Sequence, residues 1–80
     1  MTYKYIKIVE RLNGIYQIWN TVYKKYVGEI RKERMGRWLH WQSFQYPNCG
    51  FSNGCLKEIS KFITSLYRKD RESKKALHMF

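Results

Sequence analysis

Only one stretch of this chain carries an apolar stripe of helical period. After Ser52, the residues Cys55, Leu56, Ile59, Phe62, Ile63 and Leu66 recur at three- and four-residue spacing. That spacing lines one face of a helix. Lys57, Glu58, Lys61 and Thr64 fall mostly on the opposite side. Ser52 is the natural N-cap, since its hydroxyl can accept a free N–H of the first turn; Asn53 is the alternative. A stripe of this kind must be covered by another layer. The rest of the chain offers only β-type segments, so the cover is one face of a sheet.

The segments before the stripe have strand chemistry. Residues 3–12 are rich in β-branched and aromatic side chains, and Asn13-Gly14 follows. Asn-Gly between two such runs signals a two-residue hairpin turn with positive φ at both positions. That loop would place Leu12 opposite Ile15, Val9 opposite Ile18 and Ile8 opposite Trp19, with residues 15–22 as the return strand. A polar turn around Tyr23-Lys24-Lys25 leads into residues 26–32. Arg34-Met35-Gly36 marks the next turn, and residues 37–42 form a fourth strand. Alternation there puts Trp38 and His40 on one face and Leu39 and Trp41 on the other. The predicted fold class is α+β: an antiparallel three- to four-stranded meander packed against one C-terminal α-helix. Residues 1–68 make a single sheet-plus-helix domain, and residues 69–80 make a basic helical extension or tail.

Eighty residues suffice for one domain. A chain this short buries only roughly 60–65% of its unfolded surface, which disfavours a deep, desolvated enzyme cleft. No apolar run approaches a membrane span, and Met1–Lys7 has no apolar block of signal-peptide type. The balance of 16 Lys and Arg against 6 Asp and Glu gives a net charge of +10. The charge is spread along the chain: Arg68–Phe80 holds five cations against two acids, and the rest lies in the predicted folded body. A positive field over so small a body attracts polyanions, of which nucleic acid is the commonest.

Residue types that carry chemistry are sparse. The six carboxylates are scattered, and most have a basic neighbour, as solvated ion pairs do. Cys55 and His40 could form a nucleophile pair, but Cys55 falls on the apolar stripe, where a small core thiol belongs. His40, Cys49, Cys55 and His78 match no standard zinc spacing. No phosphate-binding glycine loop is present. The expectation is a protein that is not an enzyme and uses no metal and no cofactor. Two cysteines and no secretory signal suggest free thiols and a cytoplasmic location.

Interleaved cations and aromatics are the stronger signal. Tyr23, Lys24, Lys25 and Tyr26 cluster at one turn. Arg31, Lys32, Arg34, Arg37, Trp38, His40 and Trp41 cluster around the next hairpin. Cations can follow a phosphate backbone, while exposed rings stack on bases or anchor in a partner's pocket. One helix covers one sheet face, so some of these aromatics must lie on the other, and an open aromatic face is a binding site by default.

Val27-Gly28-Glu29-Ile30, Gly36-Arg37-Trp38, Phe44 to Pro47 and the run Phe51–Ile63 together resemble small uncharacterised phage- and prophage-encoded proteins with a "GxIxW…W…FxP…F…CLxxIxxFIxxL" pattern. The resemblance covers residues 27–66 and rests mostly on packing positions. This chain is more basic, and Gln42–Tyr46 is more polar than the pattern. Tyr26–Arg31 and Gly36-Arg37-Trp38 also show a weaker similarity to the three-stranded sheet of AP2-type DNA-binding domains, which carries Arg and Trp contacts; the alanine-rich helix of that family is not matched here. The phage resemblance implies a small binding protein that inhibits a host nucleic-acid-handling or defence complex, of the anti-CRISPR type, in the cytoplasm of the host bacterium. Its partner would be a host protein or ribonucleoprotein. The alternative is a DNA- or RNA-binding accessory or regulator that uses the same surface. The residues expected to make either contact are Lys24, Lys25, Tyr26, Arg31, Lys32, Arg34, Arg37, Trp38 and His40. Self-association through Ala76–Phe80 is a third possibility.

Overall fold

The computed structural model describes residues 3–11, 14–46 and 50–78, with side chains as far as Ser73. Four strands precede one helix: β1 (Ile6–Glu10), β2 (Tyr16–Asn20), β3 (Lys25–Lys32), β4 (Trp38–Gln42) and α1 (Asn53–His78). The strands form one antiparallel sheet in sequence order, with β1 and β4 at its edges. The fold is α+β, a four-stranded meander under one C-terminal helix.

The first hairpin differs by one residue from the sequence expectation. Ile8 lies opposite Ile18, not Trp19, and Val9 lies opposite Gln17, not Ile18. The Arg11 N–H donates to the Ile15 carbonyl at 2.7 Å, so the loop encloses residues 12–14. Gly14, at φ 73°, supplies the left-handed turn that this longer loop needs. The expected pairing of Leu12 and the turn conformation of Asn13 lie outside the described residues. A one-residue slip moves every side chain to the other face. The observed register keeps Ile6, Ile8, Tyr16 and Ile18 together and sends Trp19 to the opposite side.

A bulge between Ile18 and Trp19 shifts the pairing with β3 by one more residue. The residue left over is Val27, which is buried beside Gly28. Ile6, Ile18, Val27 and Ile30 are the most completely buried side chains, and Tyr16, Cys55, Ile59 and Leu66 complete the core. Each fully buried aliphatic of this size stabilises the fold by about 1.5–3 kcal/mol. Cys55 is therefore a buried free thiol in the core.

Ser52 caps α1 as the sequence predicts. Its Oγ accepts the Cys55 N–H at 3.2 Å, and its carbonyl accepts the Leu56 N–H at 3.0 Å. One turn later, the Glu58 carboxylate accepts three backbone N–H groups. Oε2 takes Lys4 at 2.8 Å, and Oε1 takes Tyr5 at 2.7 Å and Ile6 at 3.2 Å. The chain entering β1 is thereby clasped to the helix. Burial and the nearby Glu58 charge push the Tyr3 phenol pKa upward.

At the other end of the sheet, Asp70 Oδ2 accepts from Lys32 Nζ at 2.9 Å and from Trp38 Nε1 at 3.0 Å. The helix thus runs from one end of the sheet to the other. It continues unbroken past residue 69 to His78. At 1.5 Å per residue its length is about 39 Å, against roughly 17 Å for a five-residue strand, so its basic last turns project beyond the sheet.

Candidate binding face

The register divides the sheet into two faces. The helix-covered face carries the core, together with Lys32, Trp38 and His40. The other face carries Gln17, Trp19, Tyr26, Glu29, Arg31, Leu39 and Trp41, and no element packs over it among the described residues. Trp41 is 43% exposed and Tyr26 36%, high values for such large rings. The alternation expected in β4, with Trp38 and His40 on one side and Leu39 and Trp41 on the other, is observed.

Cations lie against the rings of this open face. The Arg31 guanidinium sits 4.8 Å from the Trp41 ring centre, and its Nε approaches Glu29 Oε1 at 3.4 Å. Arg11 lies 5.7 Å over Tyr26, donates from Nε to Gln17 Oε1 at 2.7 Å, and reaches the Tyr26 hydroxyl from Nη2 at 3.4 Å. Tyr26 in turn meets Trp19 edge-to-face, with ring centres 4.8 Å apart. At the rim, Lys25 Nζ lies 4.6 Å over Tyr46. A guanidinium above an indole or phenol is attracted by the ring's negative face and keeps its outer N–H groups free to donate. The result is a pre-ordered surface of alternating rings and positive charge.

The nine residues expected to form one contact surface are dispersed. Tyr26 and Arg31 lie on the open face. Lys24 and Lys25 lie at the β2–β3 turn, where Asn20 Oδ1 accepts the N–H groups of Val22 and Tyr23 and Lys24 adopts φ 57°. Arg34 and Arg37 lie at the β3–β4 tip, roughly 25 Å away along β3. Arg37 pairs with Glu33 at 2.5 Å, which holds the Glu33 carboxyl below the usual carboxylate range and raises the Arg37 pKa.

The remaining three residues face the helix. Lys32 and Trp38 are bound to Asp70, and the Trp38 N–H donates to the Tyr67 hydroxyl at 2.9 Å. His40 packs edge-to-face on Phe51 at 5.0 Å, and its buried Nε2 has no hydrogen-bond partner among the described residues. Burial pushes its pKa below the ordinary value. Trp38 and His40 sit on the covered face because the even-numbered positions of β4 point at α1, and Lys32 shares that face because it pairs with Trp38 from β3.

The open face also contains residues that the sequence did not single out, namely Arg11, Gln17, Trp19 and Phe44. Phe44, just beyond β4, is 99% exposed. A cleft of about 400 Å³ lies between Tyr26, Trp41 and Phe44, with Gln17, Glu29 and Gln45 among its walls. A larger groove of about 730 Å³ runs between β1 and α1, lined by Tyr3, Ile8, Tyr16 and Phe62. Among the described residues its charged walls are Lys7 and Glu10, whose charges offset, so the positive field is not concentrated there.

Among the described residues, no group of three or more His, Cys, Asp or Glu side chains could hold a metal ion. No helix among them is long and apolar enough to cross a membrane. Fold and surface define a sheet-and-helix domain with one open basic, aromatic face. No family model matches the chain, and neither a curated protein nor a solved structure matches it.

Proposed function

We propose that this is a non-enzymatic binding protein of phage type. It inhibits a host nucleic-acid-handling or defence complex, in the host bacterium's cytoplasm, by docking the open face of its sheet on that complex. The observation that carries this reading is the pairing of Arg31 with Trp41 and of Arg11 with Tyr26 on a face that no other element covers among the described residues. The rings supply anchors that bury on contact, and affinity at an interface resides in a few such residues. The cations steer approach to an acidic or phosphate-bearing surface and raise the association rate. Lys24 and Lys25 at one end and Arg34 at the other extend the field beyond the face. Lys32, Trp38 and His40 support the sheet from below.

The test compares the tagged wild-type protein with the double variant Arg31→Glu, Trp41→Ala in a bacterial extract. A nucleic-acid-processing complex should co-purify with the wild type, lose activity when the protein is added, and be absent from the variant's eluate. Equal recovery by both proteins would refute the assignment of the face.

A further inference from the structure

The geometry points to an unpaired nucleic-acid strand as what the open face grips, with one base inserted in the cleft between Trp41 and Phe44. This rests on the docking reading above and specifies the chemistry recognised there.

Charge selects the class of ligand. The chain carries +10, and among the described residues of the open face Arg11 and Arg31 stand beside the acid Glu29, which Arg31 already approaches. The ligand is therefore a polyanion. Shape selects within that class. The cleft of about 400 Å³ is bounded by flat rings, and Phe44 extends almost wholly into solvent at its rim. A flat, apolar-faced group with a polar edge fits such a space, which describes a nucleobase. Gln17 and Gln45 line the same cleft, and an amide side chain offers the N–H groups and carbonyl oxygen that the edge of a base can meet. Base stacking on aromatic side chains tolerates any sequence because every base has a π-face.

Pairing state follows from the same geometry. Bases inside a duplex are already stacked and cannot enter a cleft between protein rings. Here the Arg11 and Arg31 guanidinium groups lie 5.7 and 4.8 Å from the Tyr26 and Trp41 ring centres, beside the rings where a strand's bases would stack. Phosphates of an extended strand would then run past Arg31 and Arg11.

The experiment measures binding of labelled oligothymidylate, oligouridylate and a duplex of equal length across a salt series, with tryptophan fluorescence as a second readout. Both single strands should bind at low salt, quench tryptophan, and weaken log-linearly with salt. The duplex should bind less tightly. Phe44→Ala should weaken single-strand binding about tenfold or more. Because Phe44 is 99% exposed, its loss cannot act by unfolding the protein. Trp41→Ala should act in the same direction, with circular dichroism confirming its fold. Three results would overturn the inference: no single-strand binding at low salt, unchanged binding in both ring variants, or a duplex bound as tightly as the strand. If strands fail to bind while the Arg31→Glu, Trp41→Ala variant still loses the captured complex, only this inference falls. If capture is also unaffected, the docking reading falls with it.

Discussion

Replacing Glu58 with Ala should weaken this fold markedly. The carboxylate accepts the N–H groups of Lys4, Tyr5 and Ile6, at 2.8, 2.7 and 3.2 Å. Truncation leaves all three without that acceptor. Lys4 is exposed and regains water, whereas Tyr5 and Ile6 are partly shielded, and Ile6 is 1% exposed. Stranding a shielded donor costs about 1–3 kcal/mol, and hydrogen bonds to charged acceptors are at the stronger end. Discounting for the exposed first bond, the loss is about 2–4 kcal/mol. A domain of this size has a total of roughly 4–12 kcal/mol, so Tm should fall on the order of 10–25 °C. Glu58→Gln keeps one oxygen for Tyr5 and Ile6 but turns its NH₂ toward Lys4, and should lose about half as much. Urea titrations followed by circular dichroism measure both, and hydrogen exchange at residues 4–6 should rise first. A Glu58→Ala variant within about 0.5 kcal/mol of wild type would refute the clasp as a stabilising element.

Other perturbations test the remaining parts. A Cβ at Gly28 would lie 2.6 Å from the Trp41 carbonyl oxygen and 2.9 Å from His40 Nε2. Gly28→Ala must therefore force β3 and β4 apart and cost about 1–3 kcal/mol, read as a lowered thermal midpoint. Burial lowers the pKa of His40 in the folded protein, so the unfolded chain binds more protons below about pH 6.5. Stability should accordingly fall as pH drops through that value and level off below the folded pKa. Urea midpoints at neutral and mildly acidic pH should differ less for His40→Gln than for wild type, and equal differences would count against it. Lys24 holds φ 57°, a conformation that costs a side chain about 1 kcal/mol. Lys24→Gly should raise the urea midpoint slightly.

Local signals were the legible part of this fold. The stripe from Cys55 to Leu66, the Ser52 cap and the alternation of β4 are each visible within a few residues of sequence. The first hairpin was misjudged because Asn13-Gly14 suits a two-residue loop and a loop over 12–14 almost equally, and the two differ by one register step. The bulge at Val27 has no local signal, since it is decided by what β2 and the helix accept. Long-range partners were invisible as well. Trp38 and Lys32 looked available for binding until Asp70, from the far end of the helix, took both. The ring-and-cation theme was legible as composition, but its membership was not. Phe44 and Arg11 belong to the face because the turn after β4 and the first hairpin bring them there.

The sheet's strand order has a kinetic consequence. Because β1 to β4 pair only with their sequence neighbours, each hairpin closes a short loop, and chains dominated by such local closures fold quickly. The Glu58 bonds are different, spanning up to 54 residues. They are best formed late, after the barrier, as the helix settles on a meander already assembled. Stopped-flow measurements on Glu58→Ala should then show faster unfolding and a nearly unchanged folding rate. The clasp would act as a latch on the time the protein stays folded, leaving the speed of its assembly to the hairpins.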